Sequence, residues 1–244
     1  MFTISQLVRS KRHPSFVVYR GPSMLDGAPI VAILTGANGA SKNPKTGPMA
    51  QLYIMREDVS PTDAQRSGAD ASVCGDCPLR PITARAEHRT ECYVMAHQAP
   101  LSTWKANGKA PVDLTSAIAA VKRSGVAVRL GAYGDPAALP ESLIAALFEA
   151  CGGNVTGYTH QWRQVRFAYL KGYTMASCDS PADYARAVAE GWRTFRVMAK
   201  DAPLAKREIV CPATTVGVTC EKCRLCDRTQ YASDRRKNIG IVEH

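Results

Sequence analysis

The chain carries nine cysteines, and their spacing is its first feature with chemical potential. Cys211, Cys220, Cys223 and Cys226 fall within sixteen residues, the last three as a C-x2-C-x2-C run. Upstream, Cys74 and Cys77 flank the turn formers Gly75 and Asp76, and Cys92 follows. A C-x2-C turn brings two thiolates to one metal. Two such groups in a reducing compartment point to ligands rather than to bridges. That compartment is expected because "MFTISQLVRSKRHPSF" lacks the apolar core of a secretory leader. No stretch reaches the roughly 18 apolar residues of a membrane span, so the expected location is the cytoplasm, without a membrane partner.

The ligand count separates the two groups. Cys211, Cys220, Cys223 and Cys226 close one four-thiolate site. Cys74, Cys77 and Cys92 either recruit a histidine, with His88 and His97 nearest in sequence, or hold an iron–sulfur cluster with one exposed iron. A C-x2-C-x2-C loop wraps three corners of a cluster, whereas zinc modules favour two separate C-x2-C turns. The expected cofactors are therefore one or two [4Fe-4S] clusters, with zinc as the alternative. Cys151, at the apolar end of a helix, reads as core, and Cys178, at a strand end, stays open between core and site.

These residues need a scaffold, and residues 113–210 supply alternating helical and strand patterns. Asp113 caps "LTSAIAAVKRSG", which ends at Gly125. Strands are expected at 126–133, 154–159, 173–179 and 193–199, with helices at 140–153, 162–172 and 180–191, the last opened by Ser180-Pro181. Short strands follow at "REIVC" and "NIGIV". The pattern predicts an α/β fold with a partial or complete β/α-barrel-like parallel sheet. Before it, "PIVAILTG" and "QLYIMRED" flank a Gly/Pro/Asn-rich loop that suits a long hairpin. The expected organisation is an N-terminal antiparallel β lobe over 1–70, the α/β body over 71–210, and a cysteine-rich metal-binding segment over 211–244.

Polar residues cluster where the strands end: Tyr133, Gly134 and Asp135; Thr159 and His160; Cys178 and Asp179; Lys200; Cys211; and His244. Loops converge at the carboxyl ends of parallel strands, which makes that face the expected site. Asp135 and His160 are the main candidates to position substrate or move protons, with Tyr133 and Asp179 beside them. The competing roles are turn capping for the aspartates and an interior hydrogen bond for His160. Gly131 and Gly134 allow close backbone approach. Net charge is +10, with basic groups at Arg9, Lys11 and Arg12 and at Arg224, Arg228, Arg235, Arg236 and Lys237. This balance favours nucleic acid or a phosphorylated small molecule as partner, against a merely solvated basic surface.

The segments "CGDCPLR", "CYV", "RLGAYGDP", "TGYTHQW", "WRTFRV" and "CPA", followed by C-x2-C-x2-C, resemble an uncharacterised protein family of bacteriophage and plasmid genomes, which implies the host cytoplasm as its setting. More distantly, three cysteines, a helix, and a strand ending in Gly134, Asp135 and Pro136 are similar to radical S-adenosylmethionine enzymes. That resemblance implies a partial β/α barrel, a three-cysteine [4Fe-4S] cluster, and S-adenosylmethionine bound near Gly131, Gly134 and Asp135. The usual C-x3-C-x2-C loop of those enzymes is replaced here by C-x2-C-x14-C.

Three functions follow. The first is an iron–sulfur enzyme acting on a nucleic acid, nucleotide or other anionic substrate, with Cys74, Cys77 and Cys92 on a reactive cluster and the downstream four on an auxiliary one. The second is a zinc-stabilised base-exchange enzyme with one of the aspartates as nucleophile. The third is a non-enzymatic zinc-binding nucleic-acid module, in which Trp104, Trp162 or Trp192 stacks on bases unless it belongs to the core.

Overall fold

The structure is a computed structural model that describes residues 15–41, 43–88, 91–107, 109–228 and 234–242. His244 and the basic group Arg9, Lys11 and Arg12 lie outside the described residues. Nine strands form one sheet: β1 (Ser15–Pro22), β2 (Pro29–Thr35), β3 (Ala50–Arg56), β4 (Val128–Tyr133), β5 (Val155–Thr159), β6 (Met175–Cys178), β7 (Thr194–Met198), β8 (Glu208–Val210) and β9 (Asn238–Val242). Their order is β1-β2-β3-β4-β5-β6-β7-β9-β8. The β2–β3 hairpin is antiparallel, as the loop between them predicts, and β1 adds a further antiparallel strand. From β3 onward every pairing is parallel. The antiparallel strands thus continue edge to edge into the parallel ones.

Local chemistry accounts for the elements that were expected. The Asp113 side chain accepts from Ser116 N at 3.0 Å to open helix Leu114–Ser124, and Gly125 ends it at φ 66°. Ser180 likewise accepts from Asp183 N at 3.1 Å to open helix Pro181–Ala189. Strand β2 is buried on both faces over Ile30, Val31, Ala32, Ile33 and Leu34, because helix Leu114–Ser124 covers one side of the hairpin sheet and helix Ala99–Asn107 packs against these strands as well. One core runs from these strands through Leu130, Ile144 and Leu147. Each such side chain contributes about 1.5–3 kcal/mol through burial.

Two expectations need correcting. The helix expected over 162–172 is instead two 3-10 segments, Gln161–Arg163 and Val165–Gly172, separated by extended Gln164. Phe167 and Leu170 are buried three residues apart, a spacing that stacks on a 3-10 turn, while Val165 is left 90 % exposed. Six helices occur where none was expected: Pro61–Ser67, Ala71–Cys74, Pro81–Ala86, Ala99–Asn107, Pro212–Thr215 and Cys220–Cys223. All are short. The first opens on Ser60-Pro61, the same cap-and-proline signal that marks Pro181–Ala189.

Candidate active site

Alternation along the strands turns one face of the parallel sheet into the wall of a cavity of about 200 Å³. Arg129, Gly131 and Tyr133 come from β4, Tyr158 and then His160 from β5, and Phe195 and Val197 from β7. Two segments cover this face. One carries Cys74, Cys77 and Cys92, and the other carries Cys211, Cys220 and Cys226; all six cysteines line the cavity. Cys223 ends the short helix Cys220–Cys223 and is outside the lining.

Backbone contacts fix the upstream segment. Asp135 N donates to Val73 O at 2.6 Å, and the Gln161 Nε2 donates to Cys74 O at 3.4 Å. Gly134, at φ 82°, passes so close to this segment and to β3 that a Cβ would lie 2.6 Å from Ile54 O and 3.2 Å from Val73 O. At Gly131 a Cβ would meet Gly134 O at 2.4 Å. The close approach that these glycines permit is therefore made by the protein's own backbone. Cys77 N closes its turn on Cys74 O at 3.3 Å, and Cys92 N reaches Leu79 O at 2.7 Å. The downstream segment docks on the hairpin loop through Cys220 N to Lys45 O (3.0 Å) and Glu221 N to Thr46 O (3.1 Å). Cys211 N binds Gly240 O of β9 at 2.9 Å.

Asp135 is buried, and both of its oxygens are committed: Oδ1 accepts from Ala137 N at 2.9 Å and Oδ2 from His160 N at 2.8 Å. It thus caps the turn and ties the ends of β4 and β5 together. Burial raises its pKa, and these amides oppose the rise. The His160 ring lies between Cys77 and Asp179, with Nε2 at 3.3 Å from Asp179 Oδ1 and 3.2 Å from Oδ2. Burial disfavours the His160 cation, but Cys77 and Asp179 outweigh it and hold the pKa well above the ordinary value. Asp179 itself is outside the lining, behind His160. The Tyr133 hydroxyl is buried without a hydrogen-bond partner, and burial first, then Cys74 and Asp70, raise its pKa.

The thiols act on one another within each set. Burial lifts Cys74 well above the usual thiol range, reinforced by Cys77, Asp70 and Cys92. Cys92 is pushed up to about 11, again by burial first. Downstream, burial takes Cys226 to about 12 against a hydrogen bond with Tyr158, and Cys211 and Cys220 add to the rise. Thiols so disposed stay protonated unless a cation offsets their charge, which is what a bound metal does. Among the described residues, no three His, Cys, Asp or Glu side chains converge closely enough to hold a single ion.

His88 and His97 are exposed and do not line the cavity; His160 is the histidine that meets the upstream thiols. Cys151 and Cys178 are buried, the former donating from Sγ to Phe148 O at 3.3 Å. Trp162 and Trp192 are buried in the core, with Trp162 Nε1 donating to Ser177 O, so base stacking on these two rings is not available without unfolding them, while Trp104 is half-buried and its Nε1 donates to Arg56 O. Arg224 pairs with Asp227, Arg236 with Asp234, and Arg228 covers the Phe148 ring. Residues not singled out in the sequence but present at the site are Lys45, Tyr93, Arg129 and Tyr158. Arg129 carried a signal: it is a charge in the middle of the apolar strand "VAVRLGAY". No protein-family model, curated protein or solved structure matches the chain.

Proposed function

We propose that the protein is an iron–sulfur enzyme whose reaction takes place in this cavity, on a small anionic substrate. In this reading the parallel strands form a partial β/α barrel, with substrate held against its inner face. The observation that carries the proposal is that six of the seven cysteines, drawn from both sets, line one cavity.

Cys74, Cys77 and Cys92 would hold one [4Fe-4S] cluster, and Cys211, Cys220, Cys223 and Cys226 a second. The clusters would supply one-electron chemistry, with the three-thiolate one open at its fourth corner to substrate or to S-adenosylmethionine. The rest falls to the chain. Asp135 fixes the backbone of His160, and Asp179 holds its Nε2, so His160 can keep or pass a proton beside Cys77. Asp135 is a positioning residue here, since amides occupy both its oxygens. The same commitments count against a base-exchange reaction with Asp135 as nucleophile.

Anaerobic purification tests the proposal. The protein is expected to be brown, with broad visible absorption and iron and sulfide in equal amounts. A colourless protein with stoichiometric zinc overturns it. The contact of Cys77 with His160, and of His160 with Asp179, favours one second reading, a thiol nucleophile activated by its neighbouring base. Metal-free protein that is alkylated selectively at Cys77 would establish that reading instead.

A further inference from the structure

Set against carboxylates alone, the cations lining the cavity are in excess. Its carboxylates are Asp70, Glu91 and Asp135. Asp70 is paired with Arg80 at 2.8 Å, Glu91 with Arg85 at 2.6 Å, and Asp135 with two backbone amides. Lys45 and Arg129 also line the cavity, and among the described residues neither has a carboxylate within ion-pair distance. Arg129 is half-buried, and its Nε is sealed from solvent without a hydrogen-bond partner. Burying a cation without an anion is costly, and a site that keeps one is built for a charge that arrives with a ligand.

The two cations meet at Tyr93. Arg129 Nη2 donates to the Tyr93 hydroxyl at 2.8 Å, and Lys45 Nζ lies 5.7 Å from the centre of the same ring. With its oxygen accepting from Arg129, the Tyr93 hydroxyl has its own proton left to donate. Tyr93 is 59 % exposed, which puts this group at the mouth of the cavity, within reach of solvent. A guanidinium, an ammonium and a hydroxyl around one opening match an oxyanion, and the flat fork of arginine suits phosphate and carboxylate alike.

We infer that Lys45, Tyr93 and Arg129 form the oxyanion subsite of the cavity, which holds the phosphate or carboxylate group of a small substrate. The inference rests on the reading of this cavity as the active site, and it names the end of the substrate that the protein grips. Tyr133, four residues along β4 on the same face, has the second unpartnered buried donor. Gln51 lies level with Arg129 and Tyr53 with Tyr133, so the irregularity at Gly131 shortens β4 to about 7 Å between the two, and a small ligand held at Arg129 is within reach of the Tyr133 hydroxyl.

Calorimetric titration at low ionic strength with inorganic phosphate and, separately, succinate distinguishes the two sources of the anion. The wild-type protein is expected to bind at least one of them, more weakly as salt is added. Arg129→Gln and Lys45→Gln should each weaken that binding roughly 10- to 100-fold, and Tyr93→Phe by less. If Arg129→Gln does not fold, Arg129→Lys keeps the charge but loses the fork and should bind about tenfold more weakly. Equal affinity in wild type and all variants overturns the inference, as does wild type that binds neither anion. So does an Arg129→Gln protein that binds the anion normally but retains less iron, which would make Arg129 a counter-charge for the downstream thiolates. Binding is read without turnover, so a colourless zinc protein would remove the iron–sulfur proposal and leave the anion result standing.

Discussion

The Arg196 guanidinium of β7 reaches across β9 to the carboxylate of Glu208 on β8, with Nη2 at 2.5 Å and Nε at 3.0 Å from its oxygens. The strand between them makes room with Gly240, which lies level with Arg196 in the β7–β9 register. A Cβ on Gly240 would be 2.7 Å from Met198 Sδ and 3.3 Å from Glu208 Cδ. Both charged side chains are almost wholly buried. The pair therefore clamps the last three strands of the sheet.

Removing one partner leaves the other as an unpaired buried charge. Glu208→Ala is expected to lower the unfolding free energy by about 3–5 kcal/mol, while an Arg196→Met, Glu208→Leu double variant should lose much less. Urea denaturation of the three proteins checks this. A double variant as unstable as Glu208→Ala would contradict the account.

Asp135→Asn turns one acceptor into a donor that faces either Ala137 N–H or His160 N–H. The expected loss is about 1–3 kcal/mol of stability. Hydrogen exchange should show the His160 and Ala137 amides losing protection before those of β4 and β5. Unchanged protection at both would argue against the cap.

The raised pKa of His160 sets a pH dependence in metal-free protein. Its folded value lies above its unfolded value near 6.5, so its contribution is fully present below about pH 6.5 and is lost as pH rises through the folded value. Thermal melts from pH 6 to 8, below the titration of free thiols, should show stability falling with pH. The slope should flatten in His160→Gln. An identical slope in that variant would place the titrating group elsewhere.

Cys223→Ser tests the four-thiolate centre. Because metal binding is also folding free energy for a segment with little regular structure, soluble yield and metal content should fall together. Full occupancy in this variant would remove Cys223 from the ligand set, in keeping with its position outside the cavity lining.

The elements legible in the sequence are those with local signals. Helix Leu114–Ser124 has Asp113 and Gly125 at its ends, and β2 and β3 flank an obvious loop. The short helices that carry Cys74 and cover the cavity were missed, since four residues such as Ala71–Cys74 show no periodicity and are held by Val73 O and Cys74 O contacts to distant turns. The grouping of the cysteines into two stretches was legible from spacing alone. Their common cavity was not, because it depends on Cys220 docking against Lys45 from 175 positions away in the chain. Lys45 looked like part of a hairpin loop, and only the fold places it beside Arg129.

The placement of β9 between β7 and β8 also orders events during synthesis. β8 has β9 as its one neighbour in the sheet, and Cys211 hangs from β9 through Gly240. A ribosome therefore delivers Cys211 before the strand that holds its amide exists, whereas the Lys45 and Thr46 carbonyls that Cys220 and Glu221 dock on are already made. For an interval on the order of a second the Cys211 thiol lacks its place in the sheet and is open to oxidants. Burial of Cys211 is thus coupled to the last stitch of the sheet, and slow codons between Cys226 and Asn238 would lengthen the exposure.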